Sequence, residues 1–345
     1  MPDERGRTVS PSSRRLRRAI LLIVVSWCAV ARGASADEPP RLVLPVACTL
    51  GRTCVVQNFV DHDKGPDVRD YACGRRAYDG HDGTDIRVRT RREMEAGVDV
   101  VAAAKGRVVR TRDGMADTVG RPKENELQGR ECGNGVALDH GAGWETQYCH
   151  LARGSVAVKS GDQVEPGARL GRIGMSGRTE FPHLHFTVRF RGKAVDPFAF
   201  GAAEGACSGG QALWRPGLEE DVAYRPGVVL DAGFSSAPVT LQAVEAGSIA
   251  DAPLRPVSPV LVAYVRAIGL RAGDVQRITV LGPDGEILVD NTAEALDRDK
   301  AQSLLFAGRR RTVEPWREGA YTATYTVQRD GRIAVEHRFD TRLAP

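Results

Sequence analysis

The sequence predicts a mainly β fold built from short strands and tight turns. The 345 residues include 38 glycines and 19 prolines but only 6% aromatic residues, a composition that favours turns over long helices. Runs rich in β-branched residues alternate with Gly-containing turns, as in GNGVALDHGAGWETQYCHL, and each reads as strand, turn and strand. Only residues 292–306 have a helix-like pattern. The length leaves room for two cores.

The first 36 residues predict an export signal. The cationic block SRRLRR precedes the 13-residue apolar run AILLIVVSWCAVA, and Ala34-Ser35-Ala36 provides a small-residue cleavage site. Since this run is too short to span a membrane comfortably, we expect a cleaved signal peptide over residues 1–36. The protein is then periplasmic or extracellular, with no stable membrane insertion after cleavage. The alternative is an uncleaved anchor.

The net charge of the exported chain excludes one class of partner. The whole sequence has a formal charge of +4, but removing residues 1–36 leaves 41 basic and 42 acidic residues, a charge of −1. No basic surplus remains for binding nucleic acid.

Six cysteines remain after residue 36, and an even number in an exported protein predicts disulfides. A cysteine-rich zinc site is the competing interpretation, but the sequence has no C-x-x-C pair. Cysteine spacing does not by itself choose the pairing. We expect a short loop closed by one pair, a bridge across a hairpin, and a third bridge between the remaining two: Cys48–Cys54, Cys132–Cys149 and Cys73–Cys207.

Composition shifts divide the rest of the chain into four parts. Residues 37–70 are a polar lead-in with one predicted edge strand, CVVQNFV, and residues 71–200 are a strand-rich core interrupted by a polar loop at 113–130. Residues 201–215 have the composition of a linker. Residues 216–345 have alternating strands and hairpin turns, which predict a small β-sandwich of immunoglobulin-like type and unknown role.

Two segments carry candidate metal ligands. GHDGTD places His81 and Asp85 four residues apart, and PHLHF places His183 and His185 two apart, so each pair shares one face of an extended chain. A catalytic zinc site uses three protein ligands and leaves a fourth position open, so one of these four is expected not to be a ligand. Asp82 is expected on the opposite face, in solvent or in a turn.

A hairpin presents a further histidine. The Gly-Ala-Gly turn between VALDH and WETQYCH pairs positions whose numbers sum to about 284, which places Cys149 opposite Gly135 and near Cys132. His150 and Tyr148 are then expected on one face and Cys149 on the other. Tyr148 is either a contact of a reaction intermediate or an ordinary cross-strand aromatic residue.

These motifs, in this order and with GDQVEPGARLGRIGMSG before the last, resemble the LytM/lysostaphin-type zinc metallopeptidases over residues 78–197. The resemblance implies an antiparallel β-sheet core with a groove, and cleavage of peptide bonds in bacterial cell-wall peptidoglycan. It further implies one zinc ion per chain held by three ligands, with two catalytic histidines beside the open position: His81, Asp85 and His185 as ligands, and His150 and His183 as catalytic residues. Their division of roles stays open.

The sequence departs from that family at three places. Thr187 stands where the family commonly has an acidic residue, Glu180-Phe181-Pro182 replaces smaller residues, and the loop at 113–130 resembles an insertion. We expect these changes to affect substrate preference more than metal binding.

All five site residues are present, so the sequence predicts a zinc endopeptidase that hydrolyses peptide crosslinks of peptidoglycan. The alternatives are a non-catalytic protein that binds cell wall or regulates an amidase, and a peptidase that cuts a protein substrate.

Overall fold

The computed structural model describes Gly6 and residues 38–120, 127–203, 205–251 and 254–344. Apart from Gly6, the predicted export signal lies outside the described residues. Within the described ranges, no helix is both long and apolar enough to cross a membrane.

An antiparallel sheet of eight strands carries the candidate site. Its strand order is β1-β2-β9-β6-β5-β4-β7, with β10 paired to β9. The edge position of β1 agrees with the edge strand expected there. The strands are β1 (Cys54–Asn58), β2 (Thr84–Val88), β4 (Gly106–Arg112), β5 (Asn134–Gly141), β6 (Trp144–Leu151), β7 (Gln163–Val164), β9 (His183–Phe190) and β10 (Lys193–Val195).

Alternation along the central strands divides this sheet into a core face and a groove face. Ile86 of β2 and Leu184 and Phe186 of β9 are buried in one apolar cluster, while the intervening residues point to the groove. A two-stranded ladder, β3 (Asp99–Val101) with β8 (Arg169–Arg172), pairs nearby. One short helix, α1 (Arg91–Ala96), begins at a Thr90 capping box.

Residues of the expected lead-in and linker pack into the same core. Leu42 is fully buried and forms a parallel bridge with Trp214, and Leu213 joins the same cluster. Residues 201–215 are therefore not a free connection, because their apolar side chains fill the core under the first sheet.

The three disulfides have the pairing expected from the sequence. One joins residues six apart at the start of β1, another ties the segment just before β5 to β6, and the third joins residues 134 apart: Cys48–Cys54, Cys132–Cys149 and Cys73–Cys207. The first sheet is thereby crosslinked at its edge, beside its groove and to the segment that follows it.

His62 hydrogen-bonds the segment that follows the first sheet, and this contact predicts how the stability of the fold depends on pH. Its Nδ1 lies 2.8 Å from the Ala206 carbonyl oxygen and its Nε2 lies 2.7 Å from Asp196 Oδ2. Because both oxygens accept, both ring nitrogens donate only in the imidazolium form. The hydrogen bond to Asp196 raises the pKa of His62 above 6.5.

A raised pKa in the folded state adds stability below pH 6.5, the ordinary value, and this stability is lost as pH rises through the folded pKa. We expect His62→Gln to cost about 1.5–3 kcal/mol of unfolding free energy at pH 5.5, and less at pH 8.5. Urea unfolding across this range measures the difference. A difference that does not change with pH would contradict the assignment.

The second strand-rich region consists of two antiparallel sheets that share one apolar cluster. One has the order β11-β12-β15 and the other β14-β13-β16-β17. A helix, α2 (Leu241–Ala246), and a 3-10 turn, Ser248–Asp251, lie between the first two strands. The strands are β11 (Val228–Ser235), β12 (Val260–Leu270), β13 (Val275–Leu281), β14 (Ile287–Thr292), β15 (Lys300–Arg310), β16 (Gly319–Arg329) and β17 (Arg332–Leu343).

The helix expected at residues 292–306 is wrong. Strand β15 begins at Lys300 and pairs with β12 along most of its length, with Leu304 opposite Arg266 and Phe306 opposite Tyr264. Helix propensity is a weak preference that tertiary pairing overrides, and here an eleven-residue partner strand supplies that pairing.

Candidate metal centre

Strand register brings the predicted ligands together. Asp85 of β2 is the direct cross-strand partner of His185 of β9, and Cys149 of β6 is the partner of His185 on its other side. His81 lies in the turn just before β2, where its N–H donates to the Tyr78 carbonyl oxygen. Three different segments therefore converge on one point of the groove face.

Three donor atoms form a compact triangle. His81 Nε2 lies 3.2 Å from both Asp85 Oδ1 and His185 Nδ1, and these last two atoms are 2.9 Å apart. Ligands of a tetrahedral zinc ion, with bonds of about 2.0–2.1 Å, stand about 3.3–3.4 Å apart. Within the described ranges, these three residues are the one group of histidine, cysteine or acidic side chains close enough to share a metal ion. The donor set and its spacing fit zinc.

Neighbouring groups fix the orientation of two of these donors. The Phe59 carbonyl oxygen lies 2.6 Å from His81 Nδ1, so Nδ1 carries the proton and Nε2 presents its lone pair. Asn58 Nδ2 donates to Asp85 Oδ2 at 2.9 Å, which leaves Oδ1 for the metal position. Both candidate ligands, His81 and Asp85, are only 2% exposed, so the surrounding protein restricts the conformations of their side chains.

His185 is held by the carboxylate of Asp82, which the sequence predicts on the opposite face. Its Nε2 lies 3.2 Å from Asp82 Oδ1 and 3.0 Å from Thr187 Oγ1. The expectation that Asp82 faces away is wrong, because the chain is not extended from His81 to Gly83 and strand pairing begins only at Thr84. Asp82 also accepts from Arg189 at 3.2 Å.

Burial opposes the protonation of His185, but its hydrogen bonds to Asp82 and Asp85 raise its pKa to about 9. A metal ion bound at this position would compete with that proton, and its binding would release a proton at neutral pH.

Gly83 allows this approach. A Cβ atom built on Gly83 would stand 2.6 Å from His185 Nε2 and 2.9 Å from the Phe186 carbonyl oxygen. Any side chain at this position therefore displaces the ring of His185 or the strand that carries it.

His150 reaches the groove by a break in the strand alternation. Its φ is 63°, in the left-handed region. Consequently both Cys149 and His150 line the groove, while Tyr148 and Leu151 lie in the core. The expectation that His150 and Tyr148 share one face, opposite Cys149, is wrong for this reason.

Tyr148 is a core residue. It is fully buried, and its hydroxyl oxygen lies 2.8 Å from the Ala103 nitrogen, which donates to it. Its ring packs against Phe186 with centroids 5.3 Å apart. Of the two interpretations, the cross-strand aromatic residue is the correct one.

The remaining two histidines lie side by side next to the three donors. The ring centroids of His150 and His183 are 4.7 Å apart, and His183 Nε2 is 3.5 Å from Asp85 Oδ1. Nδ1 of His150 lies 2.8 Å from the Ser176 carbonyl oxygen and Nδ1 of His183 lies 2.8 Å from the Phe181 carbonyl oxygen. Both Nδ1 atoms therefore carry protons, and both Nε2 atoms remain for the groove.

Burial, followed by the positive potential of His183 and His185, lowers the pKa of His150 well below 6.5. His150 is accordingly a neutral imidazole at pH 7, with a free acceptor at Nε2.

The groove around these residues has a volume of about 590 Å³. Two of the three sequence departures line it directly: Glu180 with Phe181, and Thr187. At the third, residues 121–126 lie outside the described residues, and Asp113 and Asp117 accept backbone N–H groups near Arg153.

Comparisons with known proteins agree with this geometry. Residues 79–197 match the family model described as peptidase family M23. Peptidoglycan DD-endopeptidase ShyA of Vibrio cholerae is 34% identical over 116 residues, which are 34% of this chain and 22% of ShyA. DD-carboxypeptidase/endopeptidase Mpg of Neisseria meningitidis is 40% identical over 65 residues, 19% of this chain and 14% of Mpg.

Among solved structures, a zinc-containing peptidase from Vibrio cholerae is 26% identical with a TM-score of 0.27, and the match covers 41% of this chain and 38% of that chain. The chain spans about a fifth or less of the length of the two curated relatives.

Proposed function

We propose that the protein is a zinc-dependent endopeptidase that hydrolyses peptide crosslinks of bacterial peptidoglycan, since residues 79–197 match the family model of peptidase family M23. The observation that carries the proposal is the triangle of His81 Nε2, Asp85 Oδ1 and His185 Nδ1, with sides of 2.9–3.2 Å. The substrate class comes from the relative named as a peptidoglycan DD-endopeptidase, and the reaction type is also in the name of the DD-carboxypeptidase/endopeptidase Mpg.

One zinc ion per chain would be held by those three side chains. When bound, zinc lowers the pKa of water and polarises the carbonyl of the bond to be cut. His150, with its Nδ1–H donated to Ser176, keeps Nε2 free to accept the proton of the attacking water. His183 Nε2 lies 3.5 Å from Asp85 Oδ1. With a proton on Nε2 as well as on Nδ1, His183 can donate a hydrogen bond to the carbonyl oxygen as negative charge develops.

The three disulfides of the protein support a cellular location outside the cytoplasm. Three disulfides join six cysteines, and such bonds persist in oxidising compartments. Peptidoglycan lies outside the cytoplasm as well, so we propose an exported protein, periplasmic or extracellular.

Digestion of purified peptidoglycan tests the proposal. We expect the protein to release uncrosslinked muropeptides, to lose this activity in a zinc chelator and to regain it on zinc addition, as analysed by mass spectrometry. Binding to peptidoglycan without cleavage would favour the non-catalytic alternative. Cleavage of a glycine-rich peptide panel without cleavage of peptidoglycan would favour a protein substrate.

Asp82→Asn is expected to weaken zinc binding by about 10–100-fold, the usual cost of losing a partner that orients a metal ligand. The variant removes the negative charge beside His185 Nε2 but keeps the size of the side chain. Competition with a chromophoric chelator measures the dissociation constant. Asp79→Asn is the matched control, because Asp79 is an exposed carboxylate in the preceding turn. Equal zinc affinity of the two variants would refute the role of Asp82.

A further inference from the structure

One residue of the second strand-rich region lies in the groove. Ala301, at the start of β15, lines the cavity together with Gln57 and His183 of the first sheet and with Phe181, which precedes β9. It is exposed, so its methyl group is available to a molecule that lies in the groove.

Gln57 connects Ala301 to the candidate metal centre. The Gln57 side chain is buried, and its Nε2 donates to the Ala301 carbonyl oxygen at 3.1 Å. Its Oε1 accepts from Arg87 at 3.0 Å. The next residue, Asn58, holds Asp85. Ala301 is thereby fixed at the end of the groove nearest β1.

Arg87 extends this set of contacts toward β9, where His183 is its cross-strand partner. Its guanidinium stacks over the Phe181 ring at 4.3 Å from the centroid, and the Phe181 carbonyl oxygen accepts from His183 Nδ1. A continuous set of contacts therefore joins β15 to one of the two groove histidines.

The contacts between the first sheet and the second region are buried. The second region is therefore a fixed neighbour of the groove and not a movable lid over it. Val55 of β1 packs with Leu230 and Ile268 of the second region in one apolar cluster. Arg266 is fully buried and donates to the Arg89 carbonyl oxygen. Opening this contact would expose apolar surface and remove the backbone acceptor of a buried guanidinium, both of which are costly.

We propose that the second region forms one wall of the substrate groove, and that Ala301 is a specificity-determining residue that contacts an extended peptide on one side of the bond to be cut. The inference rests on the proposed endopeptidase function. It gives the second region a part in substrate binding, where the sequence alone left its role unknown.

Ala301→Trp tests this wall. The larger side chain narrows the groove end, so we expect about a tenfold rise in KM for a crosslinked muropeptide dimer with little change in kcat, which is the pattern of lost uniform binding. A short peptide that spans only the scissile bond should be cut as by the wild type. Val313→Trp is the matched control, since Val313 is 89% exposed on the same region and does not line the groove.

Equal KM values for Ala301→Trp and Val313→Trp on the dimer would overturn the inference, and so would equal losses on both substrates. Binding of the dimer to His150→Asn and to the double variant His150→Asn with Ala301→Trp, measured by calorimetry, provides a readout without cleavage. A wild type that binds the dimer but never cleaves it refutes the proposed function, while weaker binding by the double variant still supports the wall. If neither His150→Asn nor the double variant binds the dimer, the proposal that the second region forms a wall of the groove is also overturned.

Discussion

Asp85→Asn is expected to reduce bound zinc from one ion per chain to a small fraction and to lower peptidoglycan hydrolysis by at least about a thousandfold. Asp85 Oδ1 is the one carboxylate oxygen among the three donor atoms, and it lies 3.2 Å from His81 Nε2 and 2.9 Å from His185 Nδ1. Asparagine keeps the size of the side chain but removes the charge that balances a divalent cation. Loss of several kcal/mol of transition-state stabilisation corresponds to a rate effect of this size.

Elemental analysis of the purified variant and a muropeptide assay measure both effects. Asp79→Asn serves again as control, because it removes one exposed carboxylate close in sequence and should retain zinc and activity. Retention of zinc and activity by Asp85→Asn would exclude Asp85 as a ligand.

His150→Asn is expected to lower kcat by about 10²- to 10⁴-fold while the zinc content stays at one ion per chain. Asparagine tolerates the left-handed backbone that His150 adopts, at φ 63°, better than most residues. Its amide does not accept a proton at neutral pH, so the substitution removes the proposed base and keeps the local backbone.

His140→Asn is the control for a histidine in the same hairpin. Its ring bonds the Lys105 carbonyl oxygen and Thr146 Oγ1, and it does not line the groove. Steady-state kinetics on a soluble crosslinked muropeptide separates kcat from KM. An undiminished kcat for His150→Asn at full zinc occupancy would remove His150 from the mechanism.

Much of the site follows from rules that act over a few residues. Alternation along β9 puts His183 and His185 on one face, and the hairpin count places Cys149 near Cys132; the structure has both arrangements. Such inferences succeed because an extended backbone has a fixed period of two.

The failures occur where the backbone leaves that period or where distant partners decide. The left-handed backbone of His150 puts its side chain in the groove beside Cys149 instead of on the face of Tyr148. The turn at 81–83 places the Asp82 carboxylate within hydrogen-bond distance of His185 Nε2. Residues 292–306 have helix-forming side chains, but β12 offers a strand to pair with. The burial of Trp214 beside Leu42 requires contact between segments about 170 residues apart, which no local pattern reveals.

A zinc titration of the metal-free protein, followed by cleavage of a defined crosslinked muropeptide dimer, tests whether zinc at His81, Asp85 and His185 drives hydrolysis. We expect no cleavage without metal, a linear rise in rate with added zinc and a plateau at one zinc ion per chain. Cleavage by the metal-free protein, or an absence of cleavage at full zinc occupancy, would contradict this expectation.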